Sequence, residues 1–436
     1  MRIDRSTWLI SAGTALVVGL VAIWLRRPLP APDATRPIAA ETSKTADPGA
    51  ALAFEPSALG TPAADFGRPW VTHVLIDDLD RDGLADVVYC EASKHTVRWI
   101  RQAPRGTFTE IVIGESILAP VHVWAGDVNG SGRRDVLVAS MGQLMPNNDR
   151  IGSVIALENL DNRTFRRRVL LEQTARVTDV RGANLSGRAD GKLDLVVGQF
   201  GYAQGETRWM RNRGDWNFES TIVNSLSGCI HTPVADFDGD GRLDFAALIS
   251  QEWEEVHLFR NRGADGFQSQ IAWGSTTEDY GSSGMDLADV NRDGRPDLIY
   301  TNGDGFDYPV PGGRPWHGIQ WLENLGGGKF SFHRVGQFAG AYSPNAADLD
   351  GDGDIDLLAV SCFADWRNPQ AVSMMAWLND GKQNFRPVVL AHKPTHLVTA
   401  AVGDLDGDGV PEIVTGGLHA FPPYENPSSI TLWRRK

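Results

Sequence analysis

Acidic side chains recur along this chain in the pattern Asp-x-Asp/Asn-x-Asp-Gly-x-x-Asp, with clean copies starting at Asp78, Asp127, Asp236, Asp289, Asp348 and Asp404. Hard divalent cations take oxygen ligands, and a tight loop with acids at positions 1, 3, 5 and 9 around a turn-forming Gly can wrap several oxygens about one ion. The candidate calcium ligands of the first loop are Asp78, Asp80, Asp82 and Asp86, and those of the second are Asp127, Asn129, Ser131 and Asp135. Asp236, Asp238, Asp240 and Asp244 follow, then Asp289, Asn291, Asp293 and Asp297. The last two sets are Asp348, Asp350, Asp352, Asp356 and Asp404, Asp406, Asp408, Glu412. The helical calcium hand opens the same way but needs a bidentate Glu at position 12. Position 12 here is Tyr89, Ala247 or Ala359, so the hand is rejected.

The copies are separated by 49, 109, 53, 59 and 56 residues, so the long gap holds two periods and the chain seven repeats. The copy inside that gap is damaged. Asp179 begins a stretch that reaches Asp190-Gly191-Lys192-Leu193-Asp194 after an insertion, with Ser186 and Arg188 where acids belong. That loop is expected to hold calcium least well and the Asp127 loop weakly; the loops at Asp236 and Asp348 should hold it best. A metal-free Asp-Gly turn is the competing interpretation of any one copy. Six copies with closely packed carboxylates argue against it, because uncompensated acids repel one another.

The flanks say what carries the loops. Asp86 leads into Val-Val-Tyr, Asp194 into Leu-Val-Val, Asp244 into Phe-Ala-Ala-Leu-Ile and Asp356 into Leu-Leu-Ala-Val. Short apolar runs bounded by Gly and Asp are the signature of buried strands. Each repeat continues with a variable loop, a Trp-centred strand, a Gly/Asn turn and a strand opening with Phe, as in Trp321-Leu-Glu-Asn324 to Phe330 and Trp377-Leu-Asn-Asp380 to Phe385. Trp99, Trp209 and Trp433 hold the same place, with Ala156 and Leu258 replacing the Trp in two repeats. Four strands per repeat predict an all-β, seven-bladed propeller. The chain stops three residues past Trp433, before the last repeat's fourth strand, while Phe54-Glu-Pro-Ser-Ala-Leu-Gly60 resembles Phe108-Thr-Glu-Ile-Val-Ile-Gly114. The N-terminal segment is therefore expected to complete the last blade and cover its edge.

These loops, the Trp-Leu-Glu-Asn motif and the Gly-x-x-Phe turn resemble the FG-GAP/VCBS repeat proteins, whose propeller is similar to the head of integrin alpha chains. The resemblance covers residues 51–436. Phe-Gly and Gly-Ala-Pro signatures are mostly absent, which places the likeness with the bacterial VCBS-like branch. It implies an extracytoplasmic adhesion or recognition scaffold for carbohydrate or protein, an inference that fold-level analogy alone does not establish.

The formal charge of −14 is largely a property of the loops, since six divalent ions would offset 12 of those charges. Nothing forms the basic stripe that nucleic-acid binding wants. The cysteines Cys90, Cys229 and Cys362 occupy unrelated repeat positions and are expected to be buried small apolar residues. Residues 1–27 contain an uncharged run of 18 residues, Trp8 to Leu25, between arginine pairs, which suits a signal anchor crossing the membrane, or a cleaved signal peptide and a secreted chain. Residues 28–50 are a Pro/Ala-rich tether. Modest-affinity calcium sites fill outside the cytosol, so the propeller is expected in the periplasm or at the cell surface, as a monomeric ring.

His73, His122 and His231 each fall five residues before a loop's first Asp, near the start of the innermost strand, and are expected to gather at the central opening on the face without calcium. The loops joining strands two and three carry Tyr308, Trp316, His317, Trp366, His419 and Tyr424, aromatic and His side chains suited to a sugar or protein contact. The alternative to a binding module is a carbohydrate-active enzyme of polysaccharide lyase or sugar dehydratase type, with the His residues as metal ligands or acid and base. No catalytic residue is assigned, because no loop holds a compact base–nucleophile or His-x-x-His motif.

Overall fold

A computed structural model describes residues 52–145, 147–306, 312–425 and 428–436. The anchor and tether expected before residue 51, and Tyr308, lie outside them. No described helix is long and apolar enough to cross a membrane.

The described chain forms seven antiparallel sheets: in blades 1, 2, 3, 5 and 6 four strands pair in sequence order, in blade 4 the first strand is broken into Cys229–His231 and Val234–Ala235, and in blade 7 the fourth strand comes from the N-terminal segment. Blade 1 consists of Val71–Asp77, Asp86–Glu91, Thr96–Gln102 and Phe108–Gly114. Blade 3 begins with Arg176–Ala183 and Asp194–Phe200, and blade 5 with Ser282–Ala288 and Asp297–Asn302. Every second strand starts at the position-9 acid of its loop, from Asp86 in blade 1 to Glu412 in blade 7. Each loop is thus the turn between the innermost strand and the next, and all the loops lie at one end of the strands. The second strands of blades 1, 2, 4, 5, 6 and 7 are buried at every residue because both their faces pack inside the ring. That is why they carry unbroken apolar runs rather than alternation.

The seventh blade is closed as expected. Phe54–Ala58 pairs antiparallel with Ile430–Arg435, from Phe54 opposite Arg435 to Ala58 opposite Thr431. The regular aromatics pack between blades. Trp99 of blade 1 meets Phe165 of blade 2 edge-on at 6.1 Å, and Trp209 of blade 3 meets Phe267 of blade 4 at 5.2 Å. Such pairs add about 1 kcal/mol to the stability that area burial provides. The three cysteines are free and buried.

Candidate functional site

The acidic loops share one backbone design. The position-1 carboxylate accepts the N–H of position 6 and, outside the Asp348 loop, that of position 5: Asp78 from Asp82 and Gly83, both at 3.0 Å, and Asp289 from Asp293 and Gly294, both at 2.9 Å, whereas Asp348 accepts from Gly351 and Gly353. The backbone turns left-handed at position 6, with φ of 85° at Gly241 and 97° at Gly353, where any Cβ is disfavoured. The position-9 acid does more than face a cation. Asp244 Oδ2 accepts the N–H of Phe237 at 3.1 Å while Oδ1 accepts that of Asn261 at 2.7 Å. Asp86, Asp135, Asp297 and Asp356 repeat this clamp between the loop and the third strand. Burial raises Asp86 and Asp297 to about 7, and Asp135, Asp244 and Asp356 to about 6. A nearby divalent cation favours the charged form and offsets that penalty.

Four of the loops bring three acids together with ligand oxygens within 4.8 Å of one another: Asp78, Asp80, Asp86; Asp236, Asp238, Asp244; Asp348, Asp350, Asp356; and Asp404, Asp406, Glu412. These fit a hard cation. Position 5 is not among the converging groups. Asp82 Oδ2 lies 2.9 Å from Arg101, whose Nε is also 2.5 Å from Asp80, and Asp240 is paired with Arg242. The loops at Asp127 and Asp289, where Asn129, Ser131 and Asn291 replace acids, are not among the converging groups.

The third loop departs from the sequence expectation. Asp179 does not open it, because the first strand continues to Ala183 and the loop runs from Asn184 to Asp194. Asn184 Oδ1 accepts the Arg188 N–H at 2.8 Å, and Ser186 is bonded to Asp194. The Arg188 guanidinium lies 3.3 Å from Asp190 and donates to the Asn212 carbonyl, so a resident cation sits in the loop. Sequence spacing hid this because the two-residue insertion shifts the start of the loop.

The other candidate site lies on the axis. A cavity of about 460 Å³ is lined by the innermost strands and by loops at the end opposite the acidic turns. His73, His122 and His231 all line it. The rings of His73 and His122 are 4.2 Å apart, and His122 Nδ1 is 3.0 Å from Asp179 Oδ1, off the straight hydrogen-bond direction. Asp179 is fully buried, and its Oδ2 accepts the Thr232 N–H at 2.6 Å and lies 3.2 Å from Arg181 Nε. Burial pushes the Asp179 carboxyl up, but Arg181 and His122 outweigh it and hold the group well below the usual carboxylate range. Burial, then His122 and Arg181, push His73 well below its ordinary value. Burial is also the main cause that brings His231 to about 4. Arg181 reaches on to Asp286 at 3.5 Å, a link from blade 3 to blade 5. At the mouth stand Phe200, Phe306 and Tyr342, with the Arg176 guanidinium 4.7 Å over Phe200.

The loop aromatics do not join this cavity. Trp316 is exposed and donates to the Asp279 carbonyl at 2.8 Å, while His317 is buried and accepts the N–H groups of Arg314 and Gly340. Trp366 donates to the Cys362 carbonyl at 3.2 Å and packs 5.3 Å from His396. His419 is buried beside His396, and Tyr424 lies under Arg68 at 3.7 Å. These side chains pack loops against one another, each around its own neighbours, rather than converging on one ligand.

A model of the FG-GAP-like repeat matches residues 78–138, 189–247, 236–300 and 301–359, together more than half of the chain. The chain belongs to the FG-GAP-like repeat family. A search of curated proteins finds no match.

One regularity of this FG-GAP-like propeller makes the axial site legible. The residue five places before each loop is His73, His122, Asp179, His231, Gly284, Ser343 or Thr399, a belt of polar or small residues around the axis. The belt joins blades. Ser343 Oγ accepts the Ala400 N–H at 2.9 Å, Thr399 Oγ1 that of Val74 at 3.0 Å, and His73 Nδ1 that of Val123 at 3.3 Å. Asp179 is thus the belt member of blade 3, a position that counting back from Asn184 would have given.

Proposed function

We propose that this FG-GAP-like propeller is an extracytoplasmic, calcium-stabilised scaffold that binds a carbohydrate in its axial cavity. The observation that carries the ligand reading is the cavity itself. Its volume of about 460 Å³ suits a small sugar, its mouth is aromatic, and its floor holds convergent His, Asp and Arg groups. A protein ligand would instead need the rim, whose aromatic side chains are spent on local packing.

Calcium would be held by the acids at positions 1, 3 and 9, and when bound it supplies positive charge that offsets their mutual repulsion. The chain's own contribution is to shape the loops through the position-1 and position-9 hydrogen bonds. The uncharged run before the propeller and the modest affinity of such loops support a place outside the cytosol, with the membrane reached through the N-terminal segment.

A carbohydrate-active enzyme is the second reading, and one observation favours it: the contact between His122 and Asp179, which orients an imidazole toward the cavity. A glycan screen on the immobilised full-length protein with calcium present tests the first reading. Retention of a defined glycan class, intact after elution, is expected; conversion of the glycan would favour the enzyme, and retention of none would refute the carbohydrate assignment.

A further inference from the structure

The polar groups around the axis are not equally available to a ligand. Thr72 Oγ1 donates to the Pro120 carbonyl at 2.7 Å, Thr178 Oγ1 to that of Cys229 at 2.6 Å and Ser283 Oγ to that of Ala341 at 2.6 Å. Ser343 both accepts from and donates to Ala400, and Thr399 accepts from Val74. Most hydroxyls of the wall are therefore committed to the neighbouring blade. Among the described residues, His73 and His122 are each engaged at Nδ1 alone, and His231 Nδ1 has no hydrogen-bond partner.

Which nitrogen is used sets the proton. His73 Nδ1 accepts the Val123 N–H, so its own ring proton is on Nε2. His122 Nδ1 stands 3.0 Å from a buried carboxylate oxygen, where a bare lone pair would be repelled, so Nδ1 carries the proton and the Nε2 of the neutral ring is an acceptor. Neither Nε2 has a protein partner among the described residues. With ring centres 4.2 Å apart, the two side chains present one donor and one acceptor side by side.

We propose that His73 and His122 form a hydroxyl clamp, in which a ligand O–H donates to His122 Nε2 while the same or the adjacent ligand oxygen accepts from His73 Nε2–H. The ligand class is a neutral polyol, in practice one sugar ring. A carboxylate ligand has no proton to donate to the acceptor Nε2 of His122, and Arg181, the cation beside it, is already paired with Asp179 and Asp286. This inference rests on the axial cavity being the ligand site.

The test uses full-length protein with labelled histidine and methyl groups and a panel of methyl hexopyranosides, neutral and uronate. Proton-coupled nitrogen spectra are expected to place the proton on Nε2 of His73 and on Nδ1 of His122 before any sugar is added. A neutral hexopyranoside should then shift both Nε2 signals. His73→Asn and His122→Asn keep a side-chain group at the Nδ1 position for Val123 and for Asp179, so they should melt like the wild type yet bind that sugar at least about tenfold more weakly, a loss of about 1.4 kcal/mol. The reversed tautomers would overturn the clamp. So would a sugar that moves the Met141 and Leu144 methyl signals while both variants bind it as tightly as the wild type, although the cavity reading would then stand. If no sugar moves any cavity signal, the cavity reading falls and the clamp with it.

Discussion

Gly284 and Pro344 face each other across the boundary between blades 5 and 6, and each lacks the group used at four of the other boundaries. There the belt side chain, His73, Asp179, Ser343 or Thr399, accepts an N–H from the next blade. Here the belt residue has no side chain and the opposing residue no N–H. A Cβ on Gly284 would lie 2.6 Å from Pro344 Cδ, so the pair is matched in shape as well as in hydrogen bonding.

The belt can be probed directly. Thr399→Val keeps the shape but strands the buried Val74 N–H, which should lower unfolding free energy by about 1–3 kcal/mol. Gly284→Ser forces a Cβ to within 2.6 Å of Pro344 Cδ and 2.7 Å of Thr301 Oγ1, and should be worse than neutral. Urea unfolding of both variants checks this, and a wild-type midpoint for Thr399→Val would show that the belt bonds contribute nothing.

Ring closure gives a second expectation. Removing residues 54–58 leaves the Ile430–Arg435 strand as a bare sheet edge and strips Phe54 from the core it shares with Trp433. The variant should melt many degrees lower and aggregate on heating. An unchanged melting temperature would contradict closure by this strand.

Calcium is expected to raise stability by mass action, by about 2.7 kcal/mol per site at a hundredfold excess over Kd. Loops at Asp236 and Asp348 should fill first and the Arg188-occupied third loop not at all. The Asp78 loop should lag behind these two because Arg101 must leave Asp80 and Asp82 at 2.5 and 2.9 Å, closer than Arg262 stands to Asp238 in the Asp236 loop at 3.4 Å. Isothermal titration of wild type against Arg101→Gln checks the last point, with tighter binding expected in the variant. Equal melting in chelator and in calcium would count against metal binding altogether.

Burial holds His317 near a pKa of about 4. Its Nδ1 accepts two backbone N–H groups, so the proton of the neutral ring is on Nε2, buried without a hydrogen-bond partner, and a second proton would have to enter at Nδ1 at the expense of both bonds. A histidine with a depressed folded pKa binds fewer protons when folded than when unfolded. Its neutral form therefore supports stability above about 6.5, and that support is lost as pH falls from 6.5 toward 4. His317→Asn keeps an acceptor and cannot charge, so it should flatten the acid side of the stability profile by on the order of 2 kcal/mol. Matching slopes for variant and wild type would show that His317 does not carry that loss.

The fold was open to sequence reading because its signals repeat. Six acidic turns with a damaged seventh, five tryptophans in register and a displaced phenylalanine strand each specify the same blade, and Phe54 found its partner strand as expected. The axial site was only half legible. The three histidines share a spacing to clean loops, whereas the spacing of Asp179 is masked by the insertion before Asp194. Arg181 and Asp286 come from different blades, and only closure of the ring brings them within 3.5 Å. Trp316 and Trp366 looked available because they sit in long loops, but backbone carbonyls take their indole N–H groups, that of Asp279 before blade 5 and that of Cys362 in the Trp366 loop.

The most direct measurement is glycan binding by full-length protein carrying His73→Ala, His122→Ala and His231→Ala together, with calcium-dependent melting followed on the same sample. Loss of the glycan retained by wild type, with the calcium shift in melting kept, is the expected result. Undiminished glycan binding by the triple variant would contradict an axial ligand site on the face away from the acidic loops.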